Sequence, residues 1–184
     1  MLKKNNNGFS LVELLVVIAI MGTAVSLVTG AFISLYNARA KKATETLDAV
    51  IAQAKVDAMS GRDSRIVLEH SDGSDGHDEG YYAVLLSRTD SDGDGTLDST
   101  LEYKRESLGN DRLTFIINGN SSYNVADDDF TLAFNGTTGA VGFAKYGSTA
   151  LTGSGAKTVT VSVESSSTHT ITVYLDTGEH LIDV

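Results

Sequence analysis

Glu13 is the only charged side chain between Lys4 and Arg39, and it stands within the run Gly8-Phe9-Ser10-Leu11-Val12-Glu13-Leu14-Leu15-Val16-Val17-Ile18-Ala19-Ile20-Met21-Gly22. The uncharged stretch from Leu14 to Asn37 spans ~36 Å as a helix, enough to cross a hydrocarbon core. A carboxylate at the centre of a membrane helix costs roughly 2.5 to 3.5 kcal/mol on insertion scales. Glu13 therefore requires a partner, or a place near the headgroups where its cost is small.

The flanks exclude an ordinary secretory signal, which is cut at small residues after its apolar segment. Here Gly8 precedes the segment, behind Lys3 and Lys4. Those two lysines are expected to hold the first residues in the cytoplasm, leaving everything after about residue 37 outside.

Gly8, Phe9 and Glu13 behind a short basic leader resemble the class III signal of type IV prepilins. The resemblance implies that a prepilin peptidase cuts after Gly8, that Phe9 becomes the N-methylated first residue, and that Glu13 is the fifth residue of the mature chain. It also implies that Glu13 pairs with the new N-terminal amine of a neighbouring subunit in a growing filament. Because an unpaired buried charge is strongly penalised, such a pair selects one stacking register among many apolar ones. The implied partners are prepilin peptidase, identical or homologous pilin subunits, an inner-membrane pilus assembly platform, and membrane lipid before assembly. From composition alone, a single-pass anchor with Glu13 near the headgroups is the simpler reading; Gly8 and Phe9 turn the argument.

Without the leader lysines the chain carries 12 basic against 24 acidic side chains. That balance opposes nucleic acid, whose phosphates need clustered Lys and Arg. The densest cationic group, Arg39, Lys41 and Lys42, lies just beyond the apolar helix, where lipid headgroups or a neighbour's acidic face are its expected partners. The chain has no cysteine and no proline. Stability must come from packing or metal rather than from a disulfide, and the long helix lacks a proline kink.

Beyond the apolar stretch, Leu47, Val50, Ile51, Ala54 and Ala58 recur at helical spacing, with Lys41, Glu45, Asp48 and Lys55 on other faces. The pattern predicts a helix of about 50 residues from Phe9, stopped by Gly61 with Asp63 and Ser64. From Arg65 the period becomes two. Strands are expected over 65–69, 81–87, 99–104, 113–117 and 131–134, with a shorter one over 140–143. Val159, Val161 and Val163 alternate with Thr158, Thr160 and Ser162, and Ile171, Val173 and Leu175 resume the alternation, which predicts a half-buried hairpin. The turn Asp176-Thr177-Gly178 then leads into a terminal strand carrying Leu181 and Ile182. The expected class is α+β, a long N-terminal helix packed on a C-terminal antiparallel β-sheet domain. Its divisions are a leader at 1–8, a membrane or filament-core half of the helix at 9–37, an amphipathic half at 38–61, and a β-rich extracytoplasmic head at 62–184.

A single helix followed directly by a β domain that ends in paired strands and a turn glycine resembles the H-type minor pseudopilins and FimT-like minor pilins. Some FimT-like pilins bind DNA through basic residues near the terminal turn. Here that region reads Thr177-Gly178-Glu179-His180, keeping the glycine and lacking the arginines, which argues against DNA uptake.

Asp90-Ser91-Asp92-Gly93-Asp94-Gly95-Thr96-Leu97-Asp98 is the strongest chemical constellation outside the helix. Asp90, Asp92, Asp94 and Asp98 fall at positions 1, 3, 5 and 9 of a calcium loop; Gly95 permits the sharp turn, and the Thr96 carbonyl serves at position 7. Leu101 stands where the bidentate carboxylate belongs, so Glu102, one residue late, or a distant carboxylate must complete the shell. The expected cofactor is structural Ca2+; the alternative is a solvated Asp-Gly hairpin loop. A second acidic stretch, residues 71–80, is less regular and reads mainly as a mobile hairpin loop. His70, His77, His169 and His180 show no paired spacing for zinc, and the last two are expected at exposed strand positions.

These residues point to a structural filament subunit of a type IV pilus or related pseudopilus. A minor pseudopilin of type II secretion and a pilus-borne ligand-binding adhesin are the alternatives, the latter using loops near Asp72 or Tyr123. No nucleophile, base and oxyanion set appears at recognisable spacing, so an enzyme is not expected.

Overall fold

The computed structural model describes residues 10–89, 99–153 and 155–183. The element order is one helix, α1 (Leu11–Met59), then β1 (Asp63–Ser71), β2 (Gly80–Thr89), β3 (Ser99–Gly109), β4 (Thr114–Ile117), β5 (Phe130–Phe134), β6 (Val141–Tyr146), β7 (Thr149–Ala150), β8 (Thr158–Glu164), β9 (Thr168–Tyr174) and β10 (His180–Asp183). The chain divides into two compact units between Tyr36 and Asn37.

In the first unit, every described side chain from Ser10 to Leu35 is exposed. A soluble helix would bury one apolar stripe; this one is apolar on every side and buries none, the pattern of a segment whose solvent is not water. Its hydroxyls suit such a medium. Thr23 donates to the Ile20 carbonyl, Ser26 to Gly22 and Thr29 to Val25, each at 2.9 Å, so these groups are satisfied within the helix.

In the second unit, Ala40, Ala43, Thr44, Leu47, Val50, Ile51, Ala54 and Ala58 form the buried face of α1. The expected stripe is present and begins two turns earlier, at Ala40, with the small residues Ala40, Ala43 and Thr44 ahead of Leu47. The helix ends in a tight left-handed cap. Gly61 has φ +94°, its N–H bonds the Ala58 carbonyl at 3.0 Å, and the Arg62 N–H bonds the Asp57 carbonyl at 3.1 Å. One cap residue thus reverses the chain, and Asp63 and Ser64, expected to be part of the stop, already belong to β1.

The strands form the expected antiparallel β domain as two sheets. The first has six strands in the order β3-β2-β1-β5-β6-β7, and the second has four in the order β10-β9-β8-β4. Ile66 and Leu68 of β1, Leu132 of β5, Phe115 and Ile117 of β4, and Val159, Val161, Val163, Ile171 and Val173 of the β8–β9 hairpin meet the α1 stripe in one core. Full burial of each such side chain stabilises by about 1.5 to 3 kcal/mol. The expected terminal hairpin is present, with Val161 opposite Ile171 and Val159 opposite Val173, and β10 joins it by pairing Ile182 with Ile171.

Candidate functional site

Ser10 and Glu13 meet at the start of α1. The Ser10 N–H donates to Glu13 Oε2 at 2.9 Å, and the Val12 N–H reaches Ser10 Oγ at 3.3 Å. This is a capping box, in which the first helical turn satisfies its own orphan donors through a serine and the glutamate three residues on. Glu13 thereby has an intramolecular role that the sequence reading missed, although the Ser-x-x-Glu spacing was there to be read. The carboxylate also favours this end of the helix electrostatically. Gly8 and Phe9, the expected processing residues, lie outside the described residues.

The expected calcium loop, Asp90, Asp92, Asp94, Thr96 and Asp98, also lies outside them. What borders it is described: Thr89 pairs with Ser99 and Arg88 with Thr100, so β2 and β3 close a hairpin around the nine intervening residues. Glu102, the proposed completing ligand, is engaged elsewhere. Its two carboxylate oxygens accept from Nε and Nη2 of Arg105, each at 2.9 Å. Arg105 also donates to Glu69 on β1 and lies over the Tyr82 ring, 5.3 Å from its centroid. The Arg105 guanidinium holds the Glu102 carboxyl below its ordinary range, and the two carboxylates raise the arginine's affinity for its proton.

The second acidic stretch lies between β1 and β2 and carries local hydrogen bonds. Ser71 Oγ donates to Asp75 Oδ1 at 2.7 Å, the His77 N–H to the same oxygen at 3.1 Å, and the Ser74 N–H to Asp72 Oδ1 at 2.9 Å. These donors lower the carboxyl affinities of Asp72 and Asp75. Just before it, His70 Nε2 lies 2.8 Å from Asp111 Oδ1. A hydrogen bond shared with Asp111 raises Glu79, while His70 lowers Asp111. Among the described residues, no three His, Asp or Glu side chains converge as a group able to hold a metal ion.

His169 and His180 occupy strands as expected but are not exposed. His180 Nε2 lies 3.2 Å from Asp48 Oδ1 on α1, and the ring is 18% exposed; His169 Nε2 is 3.1 Å from Ser167 Oγ. Both rings bury an Nδ1 that has no partner. Packing across elements, which alternation along a strand does not reveal, accounts for the difference.

Residues 3–29 match the family model described as the prokaryotic N-terminal methylation motif. No curated protein and no solved structure matches the chain.

Proposed function

We propose that this chain, a member of the type IV pilin and pseudopilin superfamily by its N-terminal methylation motif, is a structural subunit of a type IV pilus or related pseudopilus. The observation that carries this reading is Gly8-Phe9 followed by Glu13 at the head of a helix whose first 25 described residues, Leu11 to Leu35, are all exposed. Prepilin peptidase removes residues 1–8, and the helix anchors the chain in the cytoplasmic membrane with the β-rich unit outside. An assembly platform then transfers the apolar segment from lipid to a filament core of like helices. There Glu13 exchanges its capping bond to Ser10 for the N-terminal amine of a neighbour, whose full positive charge is a stronger partner than an amide in a water-poor setting.

The loop from Asp90 to Asp98 holds a structural Ca2+ in this reading, supported by its carboxylate spacing and by the hairpin that closes its ends. Glu102 completes the shell only by leaving Arg105.

The test is mass spectrometry of the N-terminal peptide in sheared surface filaments and in membranes of the native host. N-methylated Phe9 abundant in filaments supports a pilin; the same terminus confined to membranes supports a pseudopilin or scarce minor subunit. An intact Met1 terminus in both fractions sinks the processing account.

A further inference from the structure

Several cations of the second unit are held by acids, whereas Arg39, Lys42, Lys55, Lys145 and Lys157 form no ion pair among the described residues. Arg62 is paired with Asp57, Arg65 and Arg88 with Asp63, Lys104 with Glu106, and Arg105 with Glu69 and Glu102. Lys41, between the two on the chain, faces Glu45 at 4.0 Å. Arg39 and Lys42 are exposed and have no carboxylate partner among the described residues. Their spacing makes them neighbours on one helix face, where like charges repel, while Ala40, Ala43 and Thr44 turn the adjacent face into the core.

Their position identifies what would relieve that repulsion. They are the first unpaired charges after the uncharged stretch that ends at Asn37. With Leu14 at the inner edge of a ~30 Å hydrocarbon core, the outer edge falls near Ser34 and Arg39 lies ~8 Å beyond it, within the headgroup layer. Side chains on a helix lean toward its N-terminus, here toward the membrane, and long cationic ones snorkel into the headgroups. Ser166 Oγ donates to the Asn37 side chain, and the Ser165 N–H bonds the Ser167 carbonyl at 3.0 Å, which ties the β8–β9 turn to the start of the second unit's helix on a face other than that of the two cations.

We infer that Arg39 and Lys42 form a docking surface for anionic phospholipid headgroups in the outer leaflet of the cytoplasmic membrane, occupied while the subunit waits for assembly. The inference rests on the membrane-resident stage of the proposed function. It gives that stage a physical device: two cations hold the β-rich unit at the outer surface, and they must release lipid when the helix is extracted.

The test uses the full chain carrying Lys3→Gln and Lys4→Gln, reconstituted in phosphatidylcholine vesicles, with spin-labelled phosphatidylglycerol or phosphatidylcholine reporting lipid at the protein surface. The expected result is a clear preference for phosphatidylglycerol that falls roughly fivefold for each of Arg39→Gln and Lys42→Gln, and that shrinks as salt shortens the Debye length. Lys157→Gln is the control. Lys157 also lacks a carboxylate partner but precedes β8, a strand's length of ~23 Å from the serine turn, and its removal leaves the preference unchanged. Equal preference for both lipids, or a preference indifferent to Arg39 and Lys42, overturns the inference. So does an unchanged lipid preference combined with loss of filament incorporation, which would assign the two cations to a neighbouring subunit's acidic face. An unprocessed Met1 terminus alongside an intact lipid preference would remove the filament reading and leave the headgroup surface standing.

Discussion

The Tyr103 hydroxyl donates to Asp57 Oδ2 at 2.8 Å and lies 2.7 Å from the Ser64 hydroxyl, so one phenol on β3 joins the last turn of α1 to the start of β1. Because its single proton goes to the carboxylate, it accepts from Ser64, which is 1% exposed. Arg62 covers the ring at 5.0 Å. Tyr103→Phe removes both bonds and leaves the buried Ser64 hydroxyl without this partner. The expected loss is about 1 to 3 kcal/mol, read as a lower midpoint in denaturant for the full chain in detergent. Burial also raises the Tyr103 phenol above its ordinary value, so its contribution is fully present below pH ~10 and is lost as pH rises through the folded value. The phenylalanine variant should lack that alkaline loss.

The Glu102–Arg105 pair gives the opposite sign. Arg105 depresses the Glu102 carboxyl in the folded chain, so stabilisation is present above the ordinary glutamate value of ~4.3 and disappears as pH falls through the folded value. Glu102→Gln should flatten that acid limb, measured by thermal melts between roughly pH 2 and 6 with a chelator present. An acid limb identical to that of the parent chain would show that the pair contributes nothing measurable.

Glycine has two different uses in this fold. Gly61 needs only its positive φ of +94°, since a Cβ there meets nothing within 4 Å; Gly61→Ala should cost about 1 to 2 kcal/mol, the strain of a left-handed alanine. Gly178 has φ +62° and is also enclosed, with a Cβ falling on the Gly139 carbonyl oxygen and 3.1 Å from Phe134 Cδ1. Gly178→Ala adds overpacking to strain and should cost about 3 kcal/mol. Denaturant midpoints of the two variants check the ranking.

Calcium should raise the thermal midpoint of the full chain. Near 100 times its dissociation constant, the ion adds ~2.7 kcal/mol to the folded state. Asp92→Asn with Asp94→Asn should abolish the shift, and Glu102→Gln should reduce it. A chain whose midpoint ignores both millimolar calcium and chelator has a solvated loop there instead.

Local order was the legible part of this fold. Val159, Val161 and Val163 declared their strand because period-two alternation matches a sheet with one dry face, and Gly61 declared the helix end because few residues adopt its conformation. Partnership was not legible. Nothing in the alternation of Ile66 or Leu132 states that β1 pairs with β5 across the chain, with Ile66 opposite Leu132, so the division into two sheets was missed. Val84 shows the limit in one residue. It lies on the face of β2 opposite Ala83 and Leu85, paired with Val67 and Arg105, yet it is 1% exposed. β7, two residues joined to β6 by the turn at Gly147 and Ser148, is too short to carry a period at all. At the candidate site, carboxylate spacing was legible in Asp90 to Asp98, whereas the Arg105 grip on Glu102 required the fold.

The capping box makes the role of Glu13 separable into two parts. Alanine removes both its hydrogen bond to Ser10 and its charge, whereas glutamine at this helix position still caps and lacks only the charge. Both Glu13→Ala and Glu13→Gln should leave membrane insertion intact, because the apolar segment from Leu14 onward is untouched. Losing the cap should cost about 1 kcal/mol at the helix start in the alanine variant alone. If Glu13 pairs with a neighbour's amine, both variants are impaired in filament incorporation to a similar degree, measured as the ratio of subunit in sheared filaments to subunit in membranes. Normal incorporation of the glutamine variant with failure of the alanine variant would instead assign Glu13 to ordering its own first turn, and the charge-pairing account would fall while the capping bond to Ser10 remained.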